Sequence, residues 1–357
     1  MKSKSHLPDK NSPSAKLLID RYLMCDSAEI DRLTKEFNYK TRTNFTDAVR
    51  RQYGVNRNPQ QVELREPVIN IPEIKILEYK PKTSAASPET QCLVLGDWHY
   101  GEITPTFNPQ VADTRIDKLF KSTMRITELH RHIYPVNDLV IFIVGDMTHG
   151  ENPFQGAKVG TIQQGAVDQV FDLAFPRLLS LICSFRENFG TVRVICVPGN
   201  HGRISREAPD TSNFDLILYK ALSKAKLPEG ITIELPHDFC QIIDIYGIRF
   251  FVHHGDSIKM TNGVPYFAQV RKAMSWYITY GGFSYIVQGH IHKDDYYRLS
   301  AKTKQITNGA LVSDDPYALR TIGTSTIPSQ TTFGVHARKG VTWYYSLTLD
   351  DNYLVSK

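Results

Sequence analysis

The sequence predicts an α/β layered fold preceded by a small helical module and a linker. From Gln91 onwards, apolar segments of strand length alternate with longer segments of helical periodicity, a pattern typical of layered α/β domains. Residues 1–57 show helical spacing alone, and residues 58–90 are rich in proline. We therefore expect a helical module over 1–57, a linker over 58–90 and one large domain over 91–357.

The pattern of the N-terminal module predicts two or three short helices. The segments SAKLLIDRYLMC and SAEIDRLTKEFNY place apolar residues at helical spacing, and Ser27 is a suitable helix start. A polar break, NYKTRTN, precedes a third segment, FTDAVRRQYGV. Four arginines lie near this last segment: Arg42, Arg50, Arg51 and Arg57. The arrangement resembles a helix-turn-helix module and predicts DNA binding, with a purely structural appendage as the alternative.

The charge distribution also sets the N-terminal segment apart. Residues 1–60 hold 12 Lys and Arg against 7 Asp and Glu, whereas the other 297 residues hold 30 of each. The net charge of +5 therefore resides in this segment. A local basic excess indicates contact with an anionic partner, and a solvated basic tail is the alternative interpretation.

The linker is predicted from its prolines and its lack of periodicity. It contains Pro59, Pro67, Pro72, Pro81 and Pro88. One segment inside it, KILEYK, has the composition of a short strand.

The large domain contains three helical segments between its apolar strands: TRIDKLFKSTMRITELHRHI, AVDQVFDLAFPRLLSLICSF and NFDLILYKALSKA. From about Tyr296 the chain is rich in Thr, Tyr, Ser and Gly, and VTWYYSLTL alternates as a strand does. We expect this final part to be β structure that closes the domain.

Cysteine usage and hydropathy indicate a cytoplasmic protein. The five cysteines (Cys25, Cys92, Cys183, Cys196 and Cys240) are scattered and form no C-x-x-C pair, which fits a reducing compartment. No apolar stretch approaches the ~20 residues of a membrane helix, and no apolar region follows the basic N-terminus as in a secretory signal. We expect no membrane partner.

Five apolar strands each end in Asp, Asn or His beside glycine. QCLVL precedes Gly96-Asp97-Trp98-His99, LVIFIV precedes Gly145-Asp146, VRVICVP precedes Gly199-Asn200-His201, IRFFV precedes His253-His254-Gly255-Asp256, and FSYIVQ precedes Gly289-His290-Ile291-His292. Functional groups in buried sheets gather outside the carboxyl ends of the strands. Mixed imidazole and carboxylate donors suit Mn, Fe, Zn or Co better than Ca or Mg. The sequence thus predicts a transition-metal site at one sheet edge.

The ordered series D-x-H, G-D, G-N-H, H-G and G-H-x-H resembles the signature of the calcineurin-like metallophosphoesterases over about residues 92–310. The resemblance implies a βαβ sandwich of two packed sheets flanked by helices. It also implies two divalent metal ions, with Mn as the first choice, set about 3.5–4 Å apart to clamp a phosphate and activate water.

The resemblance assigns ligands to each ion. Asp97, His99 and His292 are expected to hold one ion and Asn200, His254 and His290 the other, with Asp146 bridging both. The family's ligand directly precedes a glycine, which favours His254 over His253, although the sequence alone leaves the doublet open.

Three further residues are expected to act on the substrate. By the resemblance, His201 is the catalytic histidine, which protonates the leaving oxygen or stabilises transition-state charge. The family often follows G-N-H with an acidic residue that orients the imidazole, but here Gly202 and Arg203 follow, so that partner is unidentified. Arg203 is either a phosphate ligand or a surface arginine. Gly145-Asp146-Met147-Thr148-His149, with Asn152-Pro153 behind it, is similar to SbcD-type repair nucleases, in which the histidine places the DNA backbone; His149 as a helix cap is the alternative.

Together these features predict a two-metal DNA phosphodiesterase, an exonuclease or endonuclease of a bacterial cell or a phage-infected host, with DNA as partner. SbcD-type nucleases carry the catalytic domain first and partner-binding helices last, whereas here a module precedes the motifs and β structure ends the chain. An ATPase partner and a homodimer both stay open.

Two alternatives remain. One is a phosphomonoesterase or pyrophosphatase acting on a protein, a nucleotide or a nucleic-acid end, since His254-Gly255-Asp256 is also similar to lipid-A-precursor pyrophosphatases. The other is a non-catalytic binding module, as in some retromer-type relatives. All seven ligand positions are filled, which argues against this alternative.

Overall fold

The computed structural model of the chain describes residues 7–24, 27–55, 79–83, 86–151, 162–205, 207–209, 211–259, 265–314 and 327–350. The chain divides into two compact units, Met1–Pro72 and Glu73–Lys357. Arg57, Cys25, Asn152, Pro153 and most of the KILEYK segment lie outside the described residues.

The first unit contains three helices at the predicted places: α1 (Pro13–Met24), α2 (Ser27–Glu36) and α3 (Arg42–Tyr53). They pack around a small apolar core of Ala15, Leu18, Tyr22, Ile30, Leu33, Phe45, Val49 and Tyr53. Helix α3 begins three residues earlier than the segment FTDAVRRQYGV because Thr41 caps it, with its hydroxyl oxygen accepting from the backbone N–H of Asn44 at 3.2 Å. Gly54, with φ of 74°, ends the helix in the left-handed conformation that glycine favours.

The second unit contains two sheets, which confirms the predicted fold class. One sheet has the order β11-β10-β1-β2-β3-β4 and the other β5-β6-β7-β9-β8. The strands are β1 (Glu89–Leu95), β2 (Asp138–Ile143), β3 (Thr191–Cys196), β4 (Ile231–Glu234), β5 (Cys240–Ile245), β6 (Ile248–His253), β7 (Tyr285–Gln288), β8 (Asp295–Arg298), β9 (Lys304–Thr307), β10 (Ser329–His336) and β11 (Gly340–Thr348). Because β1 begins at Glu89, the last two residues of the predicted linker belong to a strand. The expected C-terminal β structure is formed by β8 to β11.

Helices cover the outer faces of the sheets. They are α4 (Pro109–Arg131), α5 (Ala166–Asp168), a π-helical segment (Gln169–Ala174), α6 (Phe175–Arg186), α7 (Phe214–Lys224) and α8 (Tyr266–Thr279). One core lies between the two sheets and joins Val94 and Phe142 to Phe250 and Val287. Separate cores lie beneath the helices, so each strand of the motif series is apolar on both faces.

A proline inside a helix usually interrupts it, yet the helical segment after residue 165 continues through Pro176 because a π-helical segment directly precedes α6. In that segment the backbone N–H of Phe175 donates to the carbonyl of Val170, five residues earlier. Pro176 then falls in the first turn of α6, where the missing N–H costs no hydrogen bond.

The four described cysteines are buried and unpaired. In the described part of the chain, no helix combines the length and apolar composition that crossing a bilayer requires.

Candidate metal centre

The five motif strands bring their polar endings to one edge of the sandwich. β1, β2 and β3 are parallel neighbours in one sheet, and β6 and β7 are parallel neighbours in the other. The loops after these strands are joined by backbone hydrogen bonds. The N–H of Asp97 donates to Gly145, that of His99 to Asp146, and that of Gly289 to His254. Parallel pairing therefore brings three loops together in one sheet and two in the other, and a hydrogen bond from the N–H of His290 to the carboxylate of Asp97 joins the two sets.

The same loops contain residues with unusual, positive φ angles. Among the described residues, eight non-glycine residues have positive φ, and five of them are predicted ligands: Asp97, His99, Asp146, His290 and His292. Asp and His enter the left-handed region more readily than bulky residues, yet such a concentration is typical of functional sites.

Two glycines allow the loops to approach one another closely. A Cβ atom at Gly199 would overlap Oδ1 of Asp146, and one at Gly289 would overlap Oδ2 of Asp97. The glycines before Asn200 and His290 are therefore needed to bring a carboxylate against the neighbouring loop.

The first cluster contains Asp97, His99 and His292, whose ligand atoms all lie within 4.8 Å of one another. The Nε2 atoms of His99 and His292 face each other at 3.0 Å. Oδ1 of Asp97 lies 3.4 Å from Nε2 of His292 and 4.0 Å from Nε2 of His99. Burial, together with the neighbouring imidazoles, lowers the pKa of His99 well below its usual range.

The second cluster contains Asp146, His254 and His290, again within 4.8 Å. Nε2 of His254 lies 3.0 Å from Oδ2 of Asp146 and 3.0 Å from Oδ1 of Asn200. Burial lowers the pKa of His254, but the charge of Asp146 and a hydrogen bond to its carboxylate outweigh burial and raise the value to about 10.

Of the histidine doublet, His254 lies in the cluster and His253 does not. His253 ends β6 on the face that carries Phe251, and its ring packs 4.8 Å from the ring of Trp276 in α8. Burial lowers the pKa of His253 to about 3, so it behaves as a neutral core side chain.

The second cluster places three electron-rich atoms around one point. Nδ1–H of His254 donates to the carbonyl of Val144 at 2.6 Å, so Nε2 faces the oxygens of Asp146 and Asn200, each at 3.0 Å. The proton that the raised pKa keeps on Nε2 lies where a cation would replace it. Three converging atoms of this kind fit a bound cation.

His201 lies beside the first cluster, with its ring centre 4.5 Å from that of His99. Its backbone N–H donates to Oδ1 of Asp146 at 2.7 Å, and its Nδ1–H donates to the carbonyl of His149 at 3.2 Å. The orienting partner that the sequence left unidentified is thus a backbone carbonyl. No acidic residue after the G-N-H motif is needed for that task.

His149 and Arg203 take different positions at the site. His149 belongs to a third group with His99 and His201, so it lies beside the first cluster. Arg203 is half exposed, and its guanidinium pairs with the carboxylate of Asp256 at 2.6 Å. Arg203 is therefore held at the rim by the acidic residue of the H-G-D motif.

Glu102 is a site residue that the sequence did not reveal. Its buried carboxylate lies 3.2 Å from Nδ1 of His149 and 3.9 Å from Nδ1 of His99. A carboxylate behind a ligating imidazole fixes the ring and raises its basicity.

We expect Glu102→Gln to weaken Mn²⁺ binding by roughly 10- to 100-fold, because the amide lacks the charge that orients His99. Isothermal titration calorimetry of the full chain measures the effect. Glu128→Gln is the matched control, since Glu128 is about half exposed and pairs with Arg131. Equal affinities in the two variants would contradict the role given to Glu102.

Asp215 is the second residue that the sequence missed. Its buried carboxylate accepts the backbone N–H groups of Asp146, Met147 and Gly199 at 2.8, 3.1 and 2.8 Å. Burial raises its pKa to about 6, aided by the charge of Asp146. Asp215 therefore ties the loop after β2 to the loop after β3.

The family comparison agrees with this architecture. The family described as calcineurin-like phosphoesterase matches residues 91–294. Among solved structures, the chain is similar to Zn²⁺-complexed Vps29 from Entamoeba histolytica, with 12% identity over 72% of this chain and 99% of that one and a TM-score of 0.31. It is also similar to a 5′-nucleotidase from Candida albicans (12% identity, 76% of this chain, 53% of that chain, TM-score 0.34). A phosphopantetheinyl hydrolase from Mycobacterium tuberculosis matches at 11% identity, covering 76% of this chain and all of that chain, with a TM-score of 0.31. No curated protein matches in sequence.

Proposed function

Because the chain belongs to the calcineurin-like phosphoesterase family, we propose that it is a two-metal phosphodiesterase that hydrolyses DNA in the cytoplasm of a bacterial or phage-infected cell. The family supports metal-dependent hydrolysis of a phosphoester. The observation that carries the proposal is that seven predicted ligands lie at one edge of the sandwich, six of them in the two clusters and Asn200 beside His254.

The donor set fits two divalent transition-metal ions. Asp97, His99 and His292 would hold one, and Asn200, His254 and His290 the other, with Asp146 between them. Imidazole and carboxylate donors suit Mn, Fe, Co or Zn, and we propose Mn. When bound, such a pair of ions polarises a phosphoryl oxygen and supplies an activated water as nucleophile.

The residues around the clusters have separate tasks. His201 keeps one proton on Nδ1 through the His149 carbonyl, so Nε2 is the atom that would take up a proton from solvent and pass it to a leaving oxygen. The half-exposed guanidinium of Arg203, held by Asp256, is suited to a phosphate oxygen that enters from solvent. His149, backed by Glu102, would position a non-bridging phosphate oxygen or the sugar-phosphate backbone.

The choice of DNA rests on the similarity of Gly145–His149 to SbcD-type nucleases and on the location of His149. That histidine groups with His99 and His201, where it can contact a substrate that spans the cluster. A diester flanked on both sides by nucleotides needs such a contact more than a terminal phosphate does.

The test compares bis-p-nitrophenyl phosphate with p-nitrophenyl phosphate as substrates, with Mn²⁺ and the purified full chain. We expect the diester to be cleaved at least about tenfold faster in kcat/KM, with the difference reduced in His149→Ala. Faster cleavage of the monoester would instead favour a phosphomonoesterase, the second candidate, which the exposed Arg203–Asp256 pair also fits.

The N-terminal unit is a proposed second source of DNA affinity. Several of its cations are engaged within the unit: Arg21 pairs with Glu29 and Glu36, and Arg42 pairs with Asp31. Arg50 and Arg51 lie exposed in the last turn of α3, where Arg50 lies 4.0 Å from the carboxylate of Asp47 and Arg51 donates to its backbone carbonyl. Their exposure suits both guanidiniums to contact with phosphates. Replacing both with alanine is expected to lower DNA affinity and flatten its salt dependence.

A further inference from the structure

A basic cleft lies where two turns of the second unit meet. One turn joins β8 to β9 and contributes Lys302, with Arg298 and Lys304 at the strand ends beside it; the other joins β10 to β11 and contributes Arg338 and Lys339. Together with Ile248, Ser284, Tyr285, Ala337 and Gly340 they line a cavity of about 350 Å³. The cleft thus gathers five cations from two different sheets.

Among the described residues that line the cleft, none carries a carboxylate to balance these charges. The side-chain contacts of its cations within the described residues are to neutral groups. Lys304 donates to the hydroxyl of Tyr296 at 3.0 Å, Arg298 donates to the carbonyl of Ala301, and Lys339 lies over the ring of Tyr134. Concave walls lined with charges of one sign focus the potential and concentrate counter-ions.

The wall between the two turns is rigid. The hydroxyl of Tyr285 accepts the backbone N–H of Val341 at 3.0 Å, and its ring stacks on Phe250 with centres 5.0 Å apart. Gly340 has φ of 74°, and a Cβ there would lie 2.6 Å from the Tyr285 hydroxyl. The turn that carries Arg338 and Lys339 is therefore fixed against the second sheet.

The cleft and the metal centre lie at opposite ends of the same strands. Tyr285 begins β7, whereas His290 follows its end, and β10 runs from Ser329 to His336 beside the cleft. The eight residues of β10 correspond to about 26 Å. A ligand held in the cleft does not enter the cluster of histidines.

We propose that this cleft is a second anion site, which binds the phosphate backbone of DNA away from the point of hydrolysis. The inference rests on the proposed function, because it takes DNA to be the polyanion. Lys302, Arg338 and Lys339 are exposed at the ends of flexible stems, an arrangement suited to tracking a repeating charge. A compact site for a small phosphate would instead use buried arginines and backbone N–H groups.

The experiment measures binding of a fluorescent 30-base-pair duplex by anisotropy, in EDTA, between 50 and 200 mM KCl. The variant is Lys302→Ala/Arg338→Ala/Lys339→Ala in the full chain, which leaves the metal centre intact. The matched control is Lys220→Ala/Lys224→Ala/Lys226→Ala, which removes the same charge from exposed positions at α7. Melting temperatures verify that both variants are folded.

The cleft variant is expected to lose roughly 2 to 3 units of the slope of log K against log salt, at about 0.9 per phosphate contact, while the control keeps its slope. Equal slopes in the wild type and the cleft variant would overturn the inference, as would equal losses in the cleft variant and the control. Inorganic tripolyphosphate is the second probe, and loss of its binding with DNA binding unchanged would overturn the assignment to DNA.

Hydrolysis is measured separately with Mn²⁺, so the two proposals can fail independently. If the wild type cleaves DNA but the cleft variant keeps the salt dependence of DNA binding, only the role of the cleft is contradicted. If the variant loses that salt dependence but the wild type hydrolyses no phosphodiester, only the proposed function is contradicted.

Discussion

Asp146→Asn is expected to lower metal-dependent hydrolysis by at least about a thousand-fold, equivalent to about 4 kcal/mol of transition-state stabilisation. We assign Asp146 to both ions. Its Oδ2 atom faces Nε2 of His254 at 3.0 Å, and its Oδ1 atom receives the backbone N–H of His201. Burial would raise the pKa of this carboxyl, but the imidazoles of His254 and His201 hold it well below its usual range, so the group is an anion.

Asparagine keeps the volume of the side chain and removes its charge. Hydrolysis of bis-p-nitrophenyl phosphate at saturating Mn²⁺ measures the loss, and calorimetry counts the ions bound. Asp138→Asn is the matched control, because Asp138 begins the same strand and hydrogen-bonds to Thr191 at the end remote from the cluster. If Asp146→Asn kept activity within about tenfold of the wild type, the assignment of Asp146 as a shared metal ligand would be contradicted.

Asp215→Ala is expected to lower the free energy of unfolding by at least about 3 kcal/mol. The substitution leaves three buried backbone N–H groups without an acceptor, and each such group costs about 1–3 kcal/mol. Because these groups belong to the loops after β2 and β3, we also expect weaker Mn²⁺ binding in the folded protein. Urea denaturation gives the first quantity and calorimetry the second.

The control for this variant is Asp117→Ala. Asp117 is mostly exposed and pairs with Arg177 on the surface, so its removal is expected to change stability by less than about 1 kcal/mol. If the two variants were equally stable, the carboxylate of Asp215 would not be what holds the loops together. Asp215→Asn is expected to fall between them, because its amide offers one acceptor oxygen and one misplaced donor group.

The strand endings could be read from the sequence because two local signals coincide there. Apolar runs predict strands buried on both faces, and a glycine followed by Asp, Asn or His breaks the run. The structure places β1, β2, β3, β6 and β7 at these runs, with boundaries within two residues of the predicted ones. The left-handed conformations of Asp97 and His99 are a consequence of the same abrupt turns.

The choice between His253 and His254 needed the fold. Adjacent residues of a strand point to opposite faces, so only one of them can reach the cluster. Which one does so depends on what covers each face. Phe251 and His253 lie beneath Trp276 of α8, a contact that connects residues far apart in the sequence.

Glu102 and Asp215 could not be predicted because their sequence contexts are ordinary. An acidic residue in the first turn of a helix, as Asp215 is in α7, is typical of favourable interaction with the helix dipole. Glu102 lies in a loop where any polar residue is acceptable. Only parallel pairing of β2 with β3, and the bridge between Tyr100 and Thr148, brings them to the site.

Incubating the purified chain with Mn²⁺ and end-labelled single- and double-stranded DNA, beside an Asp97→Ala control, tests the central claim most directly. Asp97 lies in the first cluster and accepts the backbone N–H of His290 at 3.0 Å, so its removal disrupts that cluster. We predict metal-dependent shortening of the DNA by the wild type and none by the control, with the product ladder distinguishing exonuclease from endonuclease action. Intact DNA in the presence of active hydrolysis of p-nitrophenyl phosphate would contradict the nuclease and identify a phosphomonoesterase instead.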